Sequence, residues 1–172
     1  MSLRVGSGFD LHTFSDDPRR TLVLCGVRVP DAPGLVGHSD ADVGTHAVAD
    51  ALLGAAALGD LGTRFGIDRP QTAGIDSLLL LAGVVADLGE AGWMVGNVDL
   101  TFVAQQPRLA PYRDDMRARL AEVLEVLQGQ VSVKATTTDG AGALGRGEGI
   151  ACWAVACIVA SSEPSQRLQR AR

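Results

Sequence analysis

The sequence predicts an α/β (α+β) domain, a two-layer sandwich, and three observations carry that prediction. Strand signals fall at residues 3–12, 97–104, 131–137 and 150–160. Helical periodicity fills the stretches 40–58, 76–92 and 111–127 between them. Elements that alternate in this way bury their apolar faces against one another in two layers. The length agrees, since 172 residues suit one domain that buries roughly two thirds of its unfolded surface.

Leu3, Val5 and Phe9 stand among glycines and predict a first strand ending at Asp10 and His12. Residues 21–25 and 27–30 read as short extended pieces around a turn at Gly26. From Asp40 the pattern turns helical. Val43, Ala47, Ala51 and Ala55 recur at i, i+4, with Leu52 and Leu58 on the flank and Gly59 as the stop. Ser39 followed by Asp42 fits an N-terminal capping pattern. Residues 60–75, rich in Gly, Asp and Pro, predict a loop. The second helix, 76–92, is expected to bury Leu79, Ala82, Ala86 and Leu88. In the next strand Val98, Leu100, Phe102 and Ala104 share one face, opposite Asp99 and Thr101. Pro111 opens the third helix. Residues 139–149 form a glycine-rich loop before the last strand. Neither repeat nor linker appears, so 1–160 reads as a single catalytic domain, and 161–172 as a polar tail expected to be disordered.

Composition narrows the function. A net charge of −5 argues against a nucleic-acid surface, which needs a dense basic face. A phosphorylated small molecule remains compatible, because a metal ion supplies positive charge locally. Cys25, Cys152 and Cys157 have no C-x-x-C spacing, and free thiols suit a reducing cytoplasm. Neither a signal peptide nor an apolar run of membrane-spanning length is present, so a cytoplasmic protein without membrane contact is expected. Glycine, at 21 residues, is well above the usual share of about 7%.

The chemistry concentrates at the start of the chain. All three histidines, His12, His38 and His46, lie in the first 46 residues, each with an aspartate within four positions. Asp10 and His12 at i, i+2 on a strand share one face. Asp42, His46 and Asp50 at i, i+4, i+8 share one helical stripe, a pattern that taken alone is also that of a solvated face. Two ligands from a strand end and one from a helix leave an open position, the mark of a catalytic rather than a structural zinc. Asp10, His12 and His46 are therefore the candidate ligands, with His38 as a neighbour.

A second cluster, Lys134-Ala135-Thr136-Thr137-Thr138-Asp139, runs into Gly145-Arg146-Gly147-Glu148-Gly149. Hydroxyls and amides there suit phosphate oxygens, and Asp139 offers a hard oxygen for magnesium. The same run reads equally as β-propensity followed by a salt-bridged turn. Residues 104–111, with Pro107 and Pro111, expose backbone groups able to read a base edge, or serve only as a connector.

Together with Asp50 to Gly62 and Gly96-Asn97-Val98-Asp99, these runs resemble the 2-C-methyl-D-erythritol 2,4-cyclodiphosphate synthases, in order from about residue 4 to 160. The resemblance implies a mixed sheet of about four strands with helices on one face, assembling as a homotrimer with interface active sites. It implies conversion of 4-diphosphocytidyl-2-C-methyl-D-erythritol 2-phosphate to the cyclic diphosphate and CMP, in non-mevalonate isoprenoid synthesis. By the same resemblance Asp10, His12 and His46 hold zinc or another divalent transition metal, and Asp139 holds magnesium or manganese. His38 and Thr137 stabilise the transition state, and Asp50 and Asp60 approach the ribose. Ala104, Arg108, Leu109, Ala110, Ala135 and Thr136 line the cytosine pocket. Ser39, Gly62, Phe65, Asp68, Thr138 and Arg146 also contact substrate, while Arg146 and Glu148 face the trimer axis, whose cavity is a candidate site for an isoprenoid diphosphate.

Three stretches depart from the family pattern: Phe65-Gly66-Ile67-Asp68-Arg69, Asp139 in place of the commoner Glu, and Ala143-Leu144 in place of Phe-Thr. None touches the zinc ligands. The competing readings are a zinc phosphohydrolase acting through bound water, a non-catalytic metal or nucleotide-binding module, and a structural zinc site.

Overall fold

The computed structural model describes residues 2–66 and 74–161. Four long strands make one mixed sheet: β1 (Leu3–Thr13), β4 (Trp93–Val103), β5 (Val131–Thr136) and β6 (Gly149–Ala160), in the order β1-β6-β4-β5. β6 runs antiparallel to both neighbours, pairing Gly8 with Ala154 on one side and Leu100 with Ala154 on the other. β4 and β5 are parallel, from Val98 opposite Val131 to Val103 opposite Thr136. A parallel pair needs a crossover, and α4 (Arg113–Val123) supplies it. The helices α1 (Val43–Ala56), α3 (Ser77–Glu90) and α4 pack on one face of this sheet, against β1 and β6, β4, and β5 respectively.

The seam between α1 and β1 is set by two glycines. A Cβ at Gly8 would collide with the carbonyl oxygen of Ala47, and one at Gly6 with that of Ala51. Helix and strand backbones therefore touch along the first half of the strand. Beyond the glycines the same face of β1 carries Asp10 and His12, at the level of the first turn of α1. Val43, Ala47, Ala51 and Ala55 are buried as the i, i+4 rhythm requires.

β2 (Thr21–Leu24) and β3 (Val27–Pro33) form a separate hairpin. Its two-residue turn, Cys25 and Gly26, has φ of 51° and 70°, the left-handed pair that matches strand twist. Asp42 clamps it. Its buried carboxylate accepts from the N–H groups of Cys25 (2.8 Å) and Gly26 (2.7 Å), and from Thr45 N (3.0 Å) and Oγ1 (2.8 Å). Asp42 thus caps α1 and points inward, so it leaves the polar stripe that spacing assigned to it together with His46 and Asp50. Ser39 does not cap the helix.

Several boundaries differ from expectation. α1 ends at Ala56 with Ala57 in the left-handed region, before Gly59 is reached. Residues 61–65, expected to be loop, form a short helix α2 (Leu61–Phe65) capped by Asp60, and α5 (Gly142–Gly145) interrupts the glycine-rich loop. β4 begins four residues earlier than expected, and α4 stops at Val123. α3 presents a different face from the one expected: it buries Leu81, Val84 and, as expected, Leu88, whereas Leu79, Ala82 and Ala86 are exposed. Its run of leucines and valines is apolar on every side, so periodicity does not select a face.

The face of the sheet away from the helices is uncovered, apolar on β1 and β6 but polar on β4 and β5, where Asp99, Thr101, Ser132 and Lys134 lie. Phe9 and Trp153, paired across β1 and β6, meet edge to face at 5.4 Å while remaining about half exposed, with Val5, Leu11 and Val155 beside them. The three cysteines are free thiols, Cys25 and Cys152 buried. Among the described residues no helix is long and apolar enough to cross a membrane.

Candidate active site

Asp10 and His12 reach past the end of the glycine seam, and His46 comes down from the first turns of α1 to meet them. His46 Nδ1 lies 2.9 Å from Asp10 Oδ2, and His12 Nε2 lies 3.0 Å from the same oxygen. One carboxylate oxygen and two imidazole nitrogens, all within 4.8 Å of one another, make the cluster that spacing predicted. This donor set fits a divalent metal. Burial works to raise the Asp10 carboxyl, yet the hydrogen bonds and charges of His12 and His46 hold it well below the ordinary carboxylate range. Burial likewise opposes charge on His46, but Asp10, then Asp42 and Asp40, raise its pKa above 6.5. The cluster concentrates negative potential on two imidazoles, which is what a cation would find there.

The triad floors a cleft of about 430 Å³. His38, Ser39, Asp50, Leu61, Gly62 and Phe65 line it beside the triad, with Gly66 and Leu80 completing the wall. Asp50 accepts from Leu61 N at 2.8 Å, so α1 positions the start of α2. Burial raises the Asp50 carboxyl, helped by the charges of Asp60 and Asp10. Asp60 itself is exposed and caps α2 by accepting from Thr63 N at 2.7 Å, outside the cleft lining. Asp68 lies outside the described residues.

A second cleft, about 310 Å³, lies at the far edge of the sheet. Ala104, Arg108, Leu109 and Ala110 line it from the loop after β4, and Ala135, Thr136 and Thr137 from the end of β5. Gln105, Pro107 and Arg113 also border it. Just beyond, Thr137 Oγ1 donates to Asp139 Oδ1 (3.1 Å) and accepts from Asp139 N (3.2 Å). Thr138 Oγ1 donates to Ala141 O at 2.6 Å, which turns the chain into α5. Arg146 and Glu148 are exposed and paired at 2.6 Å. Asp139 is not near enough to join the histidine cluster within this chain.

Two residues of the site were not visible in the sequence. Ser77 Oγ stands 2.8 Å from His46 Nε2, and Asp40 takes the Ser77 hydroxyl. Ser77 is 31 positions from His46 in the chain, and no local pattern joins them.

Comparison with known proteins agrees with this geometry. A family model described as the YgbB family matches residues 3–159. The 2-C-methyl-D-erythritol 2,4-cyclodiphosphate synthase of Thermosynechococcus vestitus is 52% identical over 158 residues, covering 92% of this chain and 97% of its own. That of Syntrophomonas wolfei is 54% identical over 156 residues, covering 91% and 98%. Among solved structures, IspF of Plasmodium falciparum, in a CDP complex, superposes with a TM-score of 0.82 at 29% identity, covering 94% of this chain and 98% of that one. The bifunctional IspDF of Campylobacter jejuni gives a TM-score of 0.87 at 35% identity over 91% of this chain, which spans 42% of that longer protein.

Proposed function

The chain belongs to the YgbB family, whose matched relatives are 2-C-methyl-D-erythritol 2,4-cyclodiphosphate synthases, and from that membership we propose how its residues carry the reaction. The reaction converts 4-diphosphocytidyl-2-C-methyl-D-erythritol 2-phosphate into the 2,4-cyclodiphosphate and CMP. An oxygen of the 2-phosphate attacks the β-phosphorus, the bond from that phosphorus to the bridging oxygen breaks, and CMP leaves. The nucleophile belongs to the substrate, so the protein supplies position and charge, which dominate phosphoryl transfer generally.

Asp10, His12 and His46 would hold zinc or a similar transition-metal ion, and Asp139 magnesium or manganese. When bound, such ions neutralise diphosphate charge as Lewis acids. The chain's own part is orientation. Leu109, Ala135 and the backbone around them suit a flat pyrimidine, and Asp50 in the lining of the other cleft, with Asp60 outside that lining, is assigned to the ribose hydroxyls. His38 and Thr137 are read as donors to the oxygens on which charge develops. Ser39, Gly62, Phe65, Asp68, Thr136, Thr138, Ala104, Arg108, Ala110 and Arg146 complete the proposed contacts, and residues 1–160 are taken as one catalytic domain.

A single observation carries the assembly. The two clefts lie at opposite edges of one sheet, three strand spacings apart, about 14 Å. A pyrimidine in one cleft and its own ribose at the other need a closer approach than that, which the Thr137 edge of a second copy facing the triad of the first would supply. The uncovered apolar face around Phe9 and Trp153 supports such a contact, with a homotrimer as the closed assembly and its axis near Arg146 and Glu148. An apolar cavity on that axis is where an isoprenoid diphosphate would lodge. We place the protein in the cytoplasm, without nucleic-acid partners.

Phosphorus NMR of the cytidyl 2-phosphate substrate with protein, zinc and magnesium tests the reaction. CMP and a cyclic diphosphate are expected. CMP with an open-chain bisphosphate would make water the nucleophile and the protein a hydrolase.

A further inference from the structure

The hydrogen bonds behind His46 give a task to two residues outside the metal cluster. Ser77, the first residue of α3, is wholly buried, and its Oγ lies 2.8 Å from His46 Nε2. On its other side Ser77 is anchored to Asp40: its hydroxyl donates to Oδ1, and its N–H donates to Oδ2 at 3.0 Å. A carboxylate oxygen only accepts, and a serine has one hydroxyl proton. That proton therefore goes to Asp40, and the serine offers His46 a lone pair. Ser39 Oγ, at 3.3 Å from the same nitrogen, is a longer and weaker neighbour. With the Ser77 proton on Asp40, the 2.8 Å contact is a hydrogen bond only when His46 donates from Nε2. An imidazole that keeps its hydrogen on Nε2 has a lone pair on Nδ1, and Nδ1 is the nitrogen turned toward Asp10 at 2.9 Å.

We infer that Ser77, held by Asp40, is a positioning residue that fixes the His46 hydrogen on Nε2 and so presents the Nδ1 lone pair to a divalent cation. The inference rests on the metal reading of the triad and extends it. A ligand histidine is ordinarily oriented by an acceptor on its other nitrogen, and loss of that acceptor costs about 10- to 100-fold in metal affinity. Here the acceptor is a serine whose polarity is set one step further back, so the start of α3 and the loop at 38–40 take part in metal binding.

Asp40→Asn reverses that polarity with almost no change of shape. The Ser77 N–H on Oδ2 and the Asp42 N–H on Oδ1 both need an oxygen. With the shorter Ser77 bond keeping the amide oxygen, the amide nitrogen faces Ser77 Oγ and donates to it, and the Asp42 N–H loses its acceptor. The serine proton then turns to His46 Nε2, and the Nδ1 lone pair is lost to a hydrogen.

The experiment uses full-length protein labelled with nitrogen-15 histidine and loaded with cadmium-113. Three histidines make the spectrum simple to assign. The wild type should show cadmium coupling at His46 Nδ1 and an attached hydrogen at Nε2. Ser77→Ala and Asp40→Asn, each checked for fold by circular dichroism, should lose about 10- to 100-fold in cadmium affinity. Their residual coupling should spread over both ring nitrogens, which a merely structural defect would not cause. Coupling at Nε2 in the wild type, or unchanged affinity and coupling in both variants, overturns the inference and leaves the metal reading standing. A wild type that binds neither cadmium nor zinc at these histidines overturns both.

Discussion

Asp10 and His46 hold each other, and their balance sets how the cluster responds to pH. His46 has its pKa raised above 6.5, because Asp10, Asp42 and Asp40 outweigh burial; Asp10 is lowered below 3.8 by the two histidines against its own burial. Stability from the raised histidine is fully present below its unfolded value of about 6.5 and is lost as pH rises through the folded value. Stability from the lowered carboxylate is present above its unfolded value and is lost only in strong acid. The pair therefore stabilises metal-free protein from roughly pH 4 to 6.5. A bound cation needs His46 without its Nδ1 proton, so metal binding strengthens in the opposite direction. Melting temperatures with a chelator should fall as pH is raised from about 6 to 8.5, while melting temperatures with zinc should rise. A fall in both series would mean that the ion does not bind at His46. At this scale the sequence was informative wherever geometry is local. Asp10 and His12 share a strand face, and His46 needed only the assignment of one helix. Ser77 and Asp40 were illegible because tertiary packing alone joins α3 to the loop at 38–40.

Elements bring these residues together, and the seam of Gly6 and Gly8 matters most. Because the backbones of α1 and β1 touch there, the first turn of the helix is held at a fixed height above Asp10 and His12. Gly8→Ala pushes a methyl group into the Ala47 carbonyl, and the nearest atoms are backbone, which cannot rotate away. The expected cost is about 1–3 kcal/mol in urea unfolding, together with weaker metal binding, since α1 must lift. Wild-type stability in that variant would show that the seam is not close-packed. The motif Gly6-Ser7-Gly8-Phe9-Asp10-Leu11-His12 thus has one physical reading: glycines where a helix must approach, and the acid and histidine of the cluster where it no longer does. The uniform apolarity of α3 hid its buried face, and α2 is only five residues long, too short to leave a period. Asp42 looked like a member of a polar stripe because spacing cannot tell a solvated acid from one buried under four donors.

At the scale of the whole molecule the family resemblance, more than spacing, supplied most of the residues that line the two clefts, and neither supplied their separation. That follows from strand order, which periodicity does not encode: β1 and β5 occupy opposite edges of the sheet. The central claim is that one active site joins the triad of one copy to the Thr137 edge of another. Mixing two inactive variants tests it most directly. His46→Ala removes a ligand from the first half, and Ala135→Arg fills the second cleft with a bulky side chain. Each variant alone should be inactive yet folded. Co-assembled at equal amounts, they should recover about a quarter of wild-type turnover, since random association at a two-copy interface pairs two intact halves that often. No recovery from mixed oligomers whose exchange is verified by mass spectrometry would place both halves of the site within one chain and contradict the account.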